Sequence, residues 1–85
     1  MGKPKLVTVK KFVKRVDFLG LFFYVPQWAE YVTVDQDGEV IIWKVEPTPR
    51  DDGAWDNPEV EEGDFENIAQ VDLNGYNWTE AILKL

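Results

Sequence analysis

Apolar and polar positions alternate most regularly between Tyr31 and Val45. Two runs rich in β-branched and aromatic residues, Tyr31–Val34 and Val40–Val45, flank Asp37-Gly38. That pattern predicts a β-hairpin. Asp-Gly suits a two-residue type I′ turn, whose two central residues both take positive φ. Such a turn would set Val34 against Ile41 and Val32 against Trp43 on one face. A one-residue slip would carry that set to the other face, so the turn decides the register.

The flanking segments are less regular. Leu6 to Val16 mixes β-branched residues with lysines and reads as a strand. Asp17 to Gly20 reads as a turn and Leu21 to Val25 as a second strand. Pro26 ends it, because proline lacks the N–H that a central strand donates. Trp28 is expected to tuck against the sheet. After the hairpin, Glu46-Pro47-Thr48-Pro49 cannot continue a central strand. Residues 47–64 read as one long acidic loop. Phe65 to Leu73 returns to strand patterning, and Asn74-Gly75 turns the chain. Asn77-Trp78-Thr79-Glu80 has the spacing of a capping box, Asn77 at the N-cap and Glu80 at N3, ahead of Ala81, Ile82 and Leu83. It predicts a short C-terminal helix, with Trp78 and Ile82 on the sheet.

No repeat or domain boundary interrupts residues 1–85, so they read as a single domain, with residues 1–5 as a flexible basic lead-in. The expected fold class is α+β. A small, mostly antiparallel sheet of four to five strands carries the C-terminal helix on one face. Trp28, Trp43 and Trp78 are expected in the core.

A chain of 85 residues buries only about 60–65% of its unfolded surface, which leaves little margin. Twelve aromatic side chains, four of them Trp, offset the short length. The chain has no Cys and no His. That removes thiolate nucleophiles, the usual zinc ligand sets and the commonest general base. An enzyme would have to work with carboxylates alone, and nothing places two acids across a substrate cleft. The expectation is therefore no catalysis and no cofactor. No apolar run approaches the ~20 residues of a membrane span. The expected location is the cytoplasm, with no membrane partner.

Charge is divided along the chain. Residues 1–34 carry six basic side chains against Asp17 and Glu30, and residues 35–85 carry three against 14 acids. Two segments stand out from that division. The stretch from Asp51 to Glu66 holds eight carboxylates in 16 residues: Asp51, Asp52, Asp56, Glu59, Glu61, Glu62, Asp64 and Glu66. Trp55 sits among them, either as a fold anchor or as an exposed contact residue. These nine residues are the candidate surface for a basic protein partner. Lys10, Lys11, Lys14 and Arg15, close to Phe22, Phe23 and Tyr24, are the candidate single-strand nucleic-acid surface, since basic grooves with stacking aromatics bind such strands. Asp35-Gln36-Asp37-Gly38-Glu39 also invites a calcium-loop test. With Gly38 at the sixth loop position, Thr33 falls first and Lys44 twelfth, where a bidentate Glu belongs, so the motif fails.

Several motifs taken together resemble a group of small proteins of tailed phages and prophages. They are Val25-Pro26-x-Trp28-Ala29-x-Tyr31, Asp35-x-Asp37-Gly38, and Asp72-Leu73-x-Gly75-x-x-Trp78. The resemblance spans roughly residues 18–85 and implies a phage setting inside a bacterial cell, with no chemistry attached. In that setting the expected role is a small acidic protein-binding protein, an inhibitor that mimics nucleic-acid charge toward a host or phage factor. The alternatives are a single-strand-binding module using the basic segment and an accessory subunit of a larger phage assembly.

Overall fold

The computed structural model describes residues 2–5 and 14–85. In chain order the strands are β1 (Lys14–Phe18), β2 (Leu21–Val25), β3 (Tyr31–Val34), β4 (Glu39–Trp43), β5 (Thr48–Pro49), β6 (Trp55–Asp56), β7 (Phe65–Gln70) and β8 (Ile82–Lys84). β1 and β2 form a ribbon, β5 and β6 a second, shorter ribbon, and the remaining four a sheet of order β7-β4-β3-β8. Every pairing is antiparallel. The strand expected over Leu6–Val16 lies mostly outside the described residues; its last three positions open β1.

The fold class differs from the expected α+β. Among the described residues the one helical element is a three-residue 3₁₀ turn, Trp78–Glu80. Asn77 is the N-cap, as expected, its Oδ1 accepting the Thr79 N–H at 3.1 Å. The Glu80 N–H, however, goes to the Asn77 backbone carbonyl and not to its side chain, so the cap is one-sided and not the expected capping box. The chain then leaves the turn and becomes β8, pairing Val32 with Leu83 and Thr33 with Ile82. Physical reasons favour this. A helix of two turns is marginal in water, whereas β8 satisfies the backbone edge of β3, and Ile82 suits a strand.

The central hairpin exists with a different turn. Its register sets Val34 opposite Val40, Val32 opposite Ile42 and Tyr31 opposite Trp43. Asp35 N–H donates to Glu39 O and Gly38 N–H to Asp35 O, each at 2.9 Å. Gly38 has φ +89°, and Asp37 is not among the residues with positive φ. The loop is thus three residues, Gln36-Asp37-Gly38, a type I turn followed by a left-handed glycine bulge. The expected two-residue I′ turn is corrected by one position. As a result Trp43 lies on the reverse face from Val32. There its Nε1 donates to Thr33 Oγ1 at 2.8 Å, and its ring stacks on Phe65 with centroids 5.5 Å apart.

The type I′ geometry occurs instead between β1 and β2. Phe18 pairs with Leu21, and the two residues between them, Leu19 and Gly20, have φ of 54° and 75°. The inward face of this ribbon carries Val16, Phe18, Phe23 and Val25. It packs on Val32, Val34, Val40 and Ile42 of the main sheet, with Ala29 and Ala81 filling the small spaces. Of the three tryptophans expected inside, Trp43 is fully buried and Trp28 and Trp78 are half-buried.

β7 contains a bulge. Val40 pairs with Ala69 but Ile41 pairs with Asn67, so Ile68 is the extra residue. In a regular strand Phe65 and Ala69 would share a face. The bulge changes parity between them, so Phe65 reaches Trp43 while Ala69 packs into the core behind Val40.

Candidate functional site

The acidic stretch begins with a structured ribbon. Thr48 pairs with Asp56 and Pro49 with Trp55. Arg50, at its turn, bridges Asp52 at 2.8 Å and Asp56 at 3.1 Å. Trp55 fastens the ribbon to the main sheet. Its backbone N–H donates to Asp35 Oδ1 and its Nε1 to Val34 O, each at 3.0 Å. Its ring meets Trp78 edge-on at 6.2 Å. At 5% exposure Trp55 is a fold anchor and presents no surface to a partner.

The other candidate acids fall into separate groups. Asp51 and Asp52 are exposed on the ribbon turn, and Asp56 is half-buried on β6. Glu59, Glu61 and Glu62 are exposed on the turns beyond it. Asp64 closes the second of these turns, its Oδ2 accepting the Glu61 N–H at 3.2 Å. Its carbonyl takes Lys44 N–H at 2.8 Å. Glu66 is exposed on β7 opposite Ile42.

Residues outside that stretch complete one of these groups. Asp35, Asp37, Glu39 and Asp52 line a hollow of about 260 Å³ beside the Gln36–Gly38 loop, with Gly53 and Ala54 as its floor. One carboxylate oxygen from each of Asp35, Asp37 and Glu39 lies within 4.8 Å of the others. Asp35 is only 6% exposed. Burial pushes its carboxyl above the usual range; the Trp55 N–H opposes that shift, and Asp37, Glu39 and Asp52 add to it. Hard oxygen donors at this spacing suit a hard cation. The tertiary approach of Asp52 is invisible in the linear spacing, although the Asp35-x-Asp37-x-Glu39 alternation was open to view.

The basic candidates diverge too. Lys10 and Lys11 lie outside the described residues. Lys14 turns inward, its Nζ donating to Ala29 O at 2.7 Å. Arg15 faces outward, 3.2 Å from Asp17, with its guanidinium 4.7 Å from the Phe22 ring centroid. Phe22 meets Tyr24 edge-to-face at 6.0 Å. Phe22 is 57% exposed and Tyr24 58%. The outward face of the β1–β2 ribbon is therefore aromatic, with a locally balanced ion pair.

A second opening lies beside it. The Leu19-Gly20 turn and the segment from Val71 to Tyr76 enclose a cleft of about 590 Å³. Asn74 and Gly75 make its far wall, a second pair of positive-φ residues closed by Tyr76 N–H on Leu73 O at 2.9 Å.

Among the described residues, no helix is long and apolar enough to cross a membrane. Comparison with family models, with curated proteins and with solved structures finds no match to this chain.

Proposed function

We propose that this chain acts by binding another protein, and that the partner is basic. One observation carries this: Leu21, Phe22 and Tyr24 are all about half exposed on one short strand of a chain with little apolar surface to spare. Clustered exposed aromatics mark contact sites, and Tyr, Phe and Arg are enriched at the centres of protein interfaces. The balanced Arg15–Asp17 pair favours a protein over a polyanion on this face. The exposed Asp51, Asp52, Glu59, Glu61 and Glu62 would speed encounter with a basic partner, an effect that fades with salt. The resemblance to small tailed-phage proteins supports a setting in the bacterial cytoplasm. There, an acidic binder would occupy the nucleic-acid site of a host or phage factor.

The test is a capture experiment from bacterial lysate with three baits: the unaltered chain, Phe22→Ser with Tyr24→Ser, and Asp51, Asp52, Glu61 and Glu62 changed to Asn or Gln. Partners should be lost with the first variant. With the second they should be captured more slowly, and soluble single-stranded DNA should compete them off the unaltered chain. Undiminished capture by the aromatic variant would remove the proposal.

One observation favours a second reading. Arg15, Phe22 and Tyr24 share a face, as in platforms that stack single-stranded bases. A low-salt gel shift with random oligonucleotides separates the two, since only the platform retards the DNA.

A further inference from the structure

We infer that the cleft between the Leu19-Gly20 and Asn74-Gly75 turns is the anchoring site for a large apolar side chain of the partner, flanked by a Lys or Arg. This rests on the proposal that the chain binds a basic protein, and it names the chemistry of the contact.

The cleft is lined by Leu19, Leu21, Leu73 and Tyr76, with Asp72 among its polar groups. Leu21 and Tyr76 are both nearly half exposed there, two large apolar side chains without cover. Both walls are tight turns with positive-φ residues, one set by the pairing of Phe18 with Leu21 and the other closed by Tyr76 N–H on Leu73 O, so the opening needs no rearrangement to form. Preformed apolar clefts of 300–1,000 Å³ with a few directed polar groups are the usual form of a recognition pocket, and this one has about 590 Å³.

Asp72 supplies the directed group. Its Oδ1 accepts the Asn74 N–H at 2.9 Å, which holds the carboxylate in place. Among the described residues it has no ion pair. An apolar hollow beside one oriented, unneutralised carboxylate is complementary to an apolar side chain next to a cation. The outward aromatic face is one residue away, because Leu21 belongs to the cleft and Phe22 to that face. A peptide crossing the end of β2 can therefore use both.

The experiment is an NMR titration of the full ¹⁵N-labelled chain with three probes: acetyl-Phe-Lys-amide, acetyl-Phe-Glu-amide and acetyl-Ala-Lys-amide. Acetyl-Phe-Lys-amide should shift the amides of residues 19–21 and 72–76 saturably. It should bind about two- to five-fold more tightly than acetyl-Phe-Glu-amide, the range of a partly exposed charge pair. Acetyl-Ala-Lys-amide should not saturate. Asp72→Asn should erase the preference for Lys over Glu. In 1 M NaCl, where the screening length is about 3 Å, the unaltered chain should lose most of it, which keeps the test decisive if that variant misfolds. The inference is overturned by absence of saturable shifts at these amides or by equal binding of the Lys and Glu probes. It is also overturned by shifts there that grow with protein concentration before any probe is added, which would make the occupant a second copy of this chain. None of these results touches capture through Phe22 and Tyr24, so the two proposals fail separately.

Discussion

The β1–β2 and β3–β4 hairpins are built from similar residues and end differently. The β3–β4 hairpin is closed on both faces. Val32, Val34, Val40 and Ile42 meet the β1–β2 ribbon, Trp43 and Thr33 are sealed on the reverse side, and Trp55 clamps the end of β3. The β1–β2 hairpin is closed on one face only and leaves Phe22 and Tyr24 in water. Apolar side chains in the first hold the fold together. Those in the second contribute little to stability, and that makes them available for contact.

Substitution should break this symmetry most sharply at the large aromatics. Trp55→Ala removes a buried indole and its Nε1 hydrogen bond to Val34 O, with an expected loss of about 3–5 kcal/mol. Phe22→Ala removes an exposed ring with one cation–π and one aromatic neighbour, and should cost under about 1 kcal/mol. Urea unfolding of both variants checks the contrast. Equal losses would mean that the β1–β2 face is structural.

The turns should differ next. Gly38 has φ +89°, and a methyl group there would run into the carbonyl oxygen of Val71, with Gln70 Nε2 at 2.9 Å. The same glycine's carbonyl accepts the Val71 N–H. Gly38→Ala should therefore cost about 1–3 kcal/mol from backbone strain, and more from displacing the end of β7. Gly20 has φ +75° but nothing within 4 Å of such a methyl. Gly20→Ala should show only the left-handed penalty, about 1–2 kcal/mol. Thermal midpoints, with amide exchange at Val71, separate the two effects.

The glycines also show how much of the fold was legible in the sequence. Asp37-Gly38 announced a hairpin correctly but not its loop length. The same dipeptide serves a type I′ turn and a type I turn with a glycine bulge, and Asp35 as the first residue of a type I turn was the overlooked signal. β2 was legible residue for residue, because Gly20 and Pro26 bracket it. The C-terminal helix was misread because a cap specifies where a turn starts and leaves its continuation open. β8 is decided by the open edge of β3, which is a tertiary fact. The bulge at Ile68 has no local signature. Trp55 could not be placed from its acidic neighbours, since its partners Asp35 and Val34 lie about twenty residues away. The same distance hid the approach of Asp52 to Asp35.

The smallest expected effect concerns that approach. Asp35 holds the Trp55 N–H while facing Asp37, Glu39 and Asp52, and its carboxyl is raised above its ordinary 3.8 chiefly by burial. The folded chain therefore binds the Asp35 proton more tightly than the unfolded chain does. Where the folded state holds more protons, stability falls as pH rises. The penalty from this group is absent below about 3.8, grows as pH climbs through the raised folded value, and is complete above it. Asp35→Asn keeps a carbonyl acceptor for Trp55 and removes the charge. It should raise the thermal midpoint at pH 7 by a few degrees, since about 1 kcal/mol moves a domain this size by roughly 4–8 °C. The gain should shrink on acidification and vanish near pH 4. Phe22→Ala, remote from these carboxylates on the open hairpin, should shift the midpoint equally at both pH values. A pH-independent gain for Asp35→Asn would show that the gain does not come from removing the buried Asp35 charge.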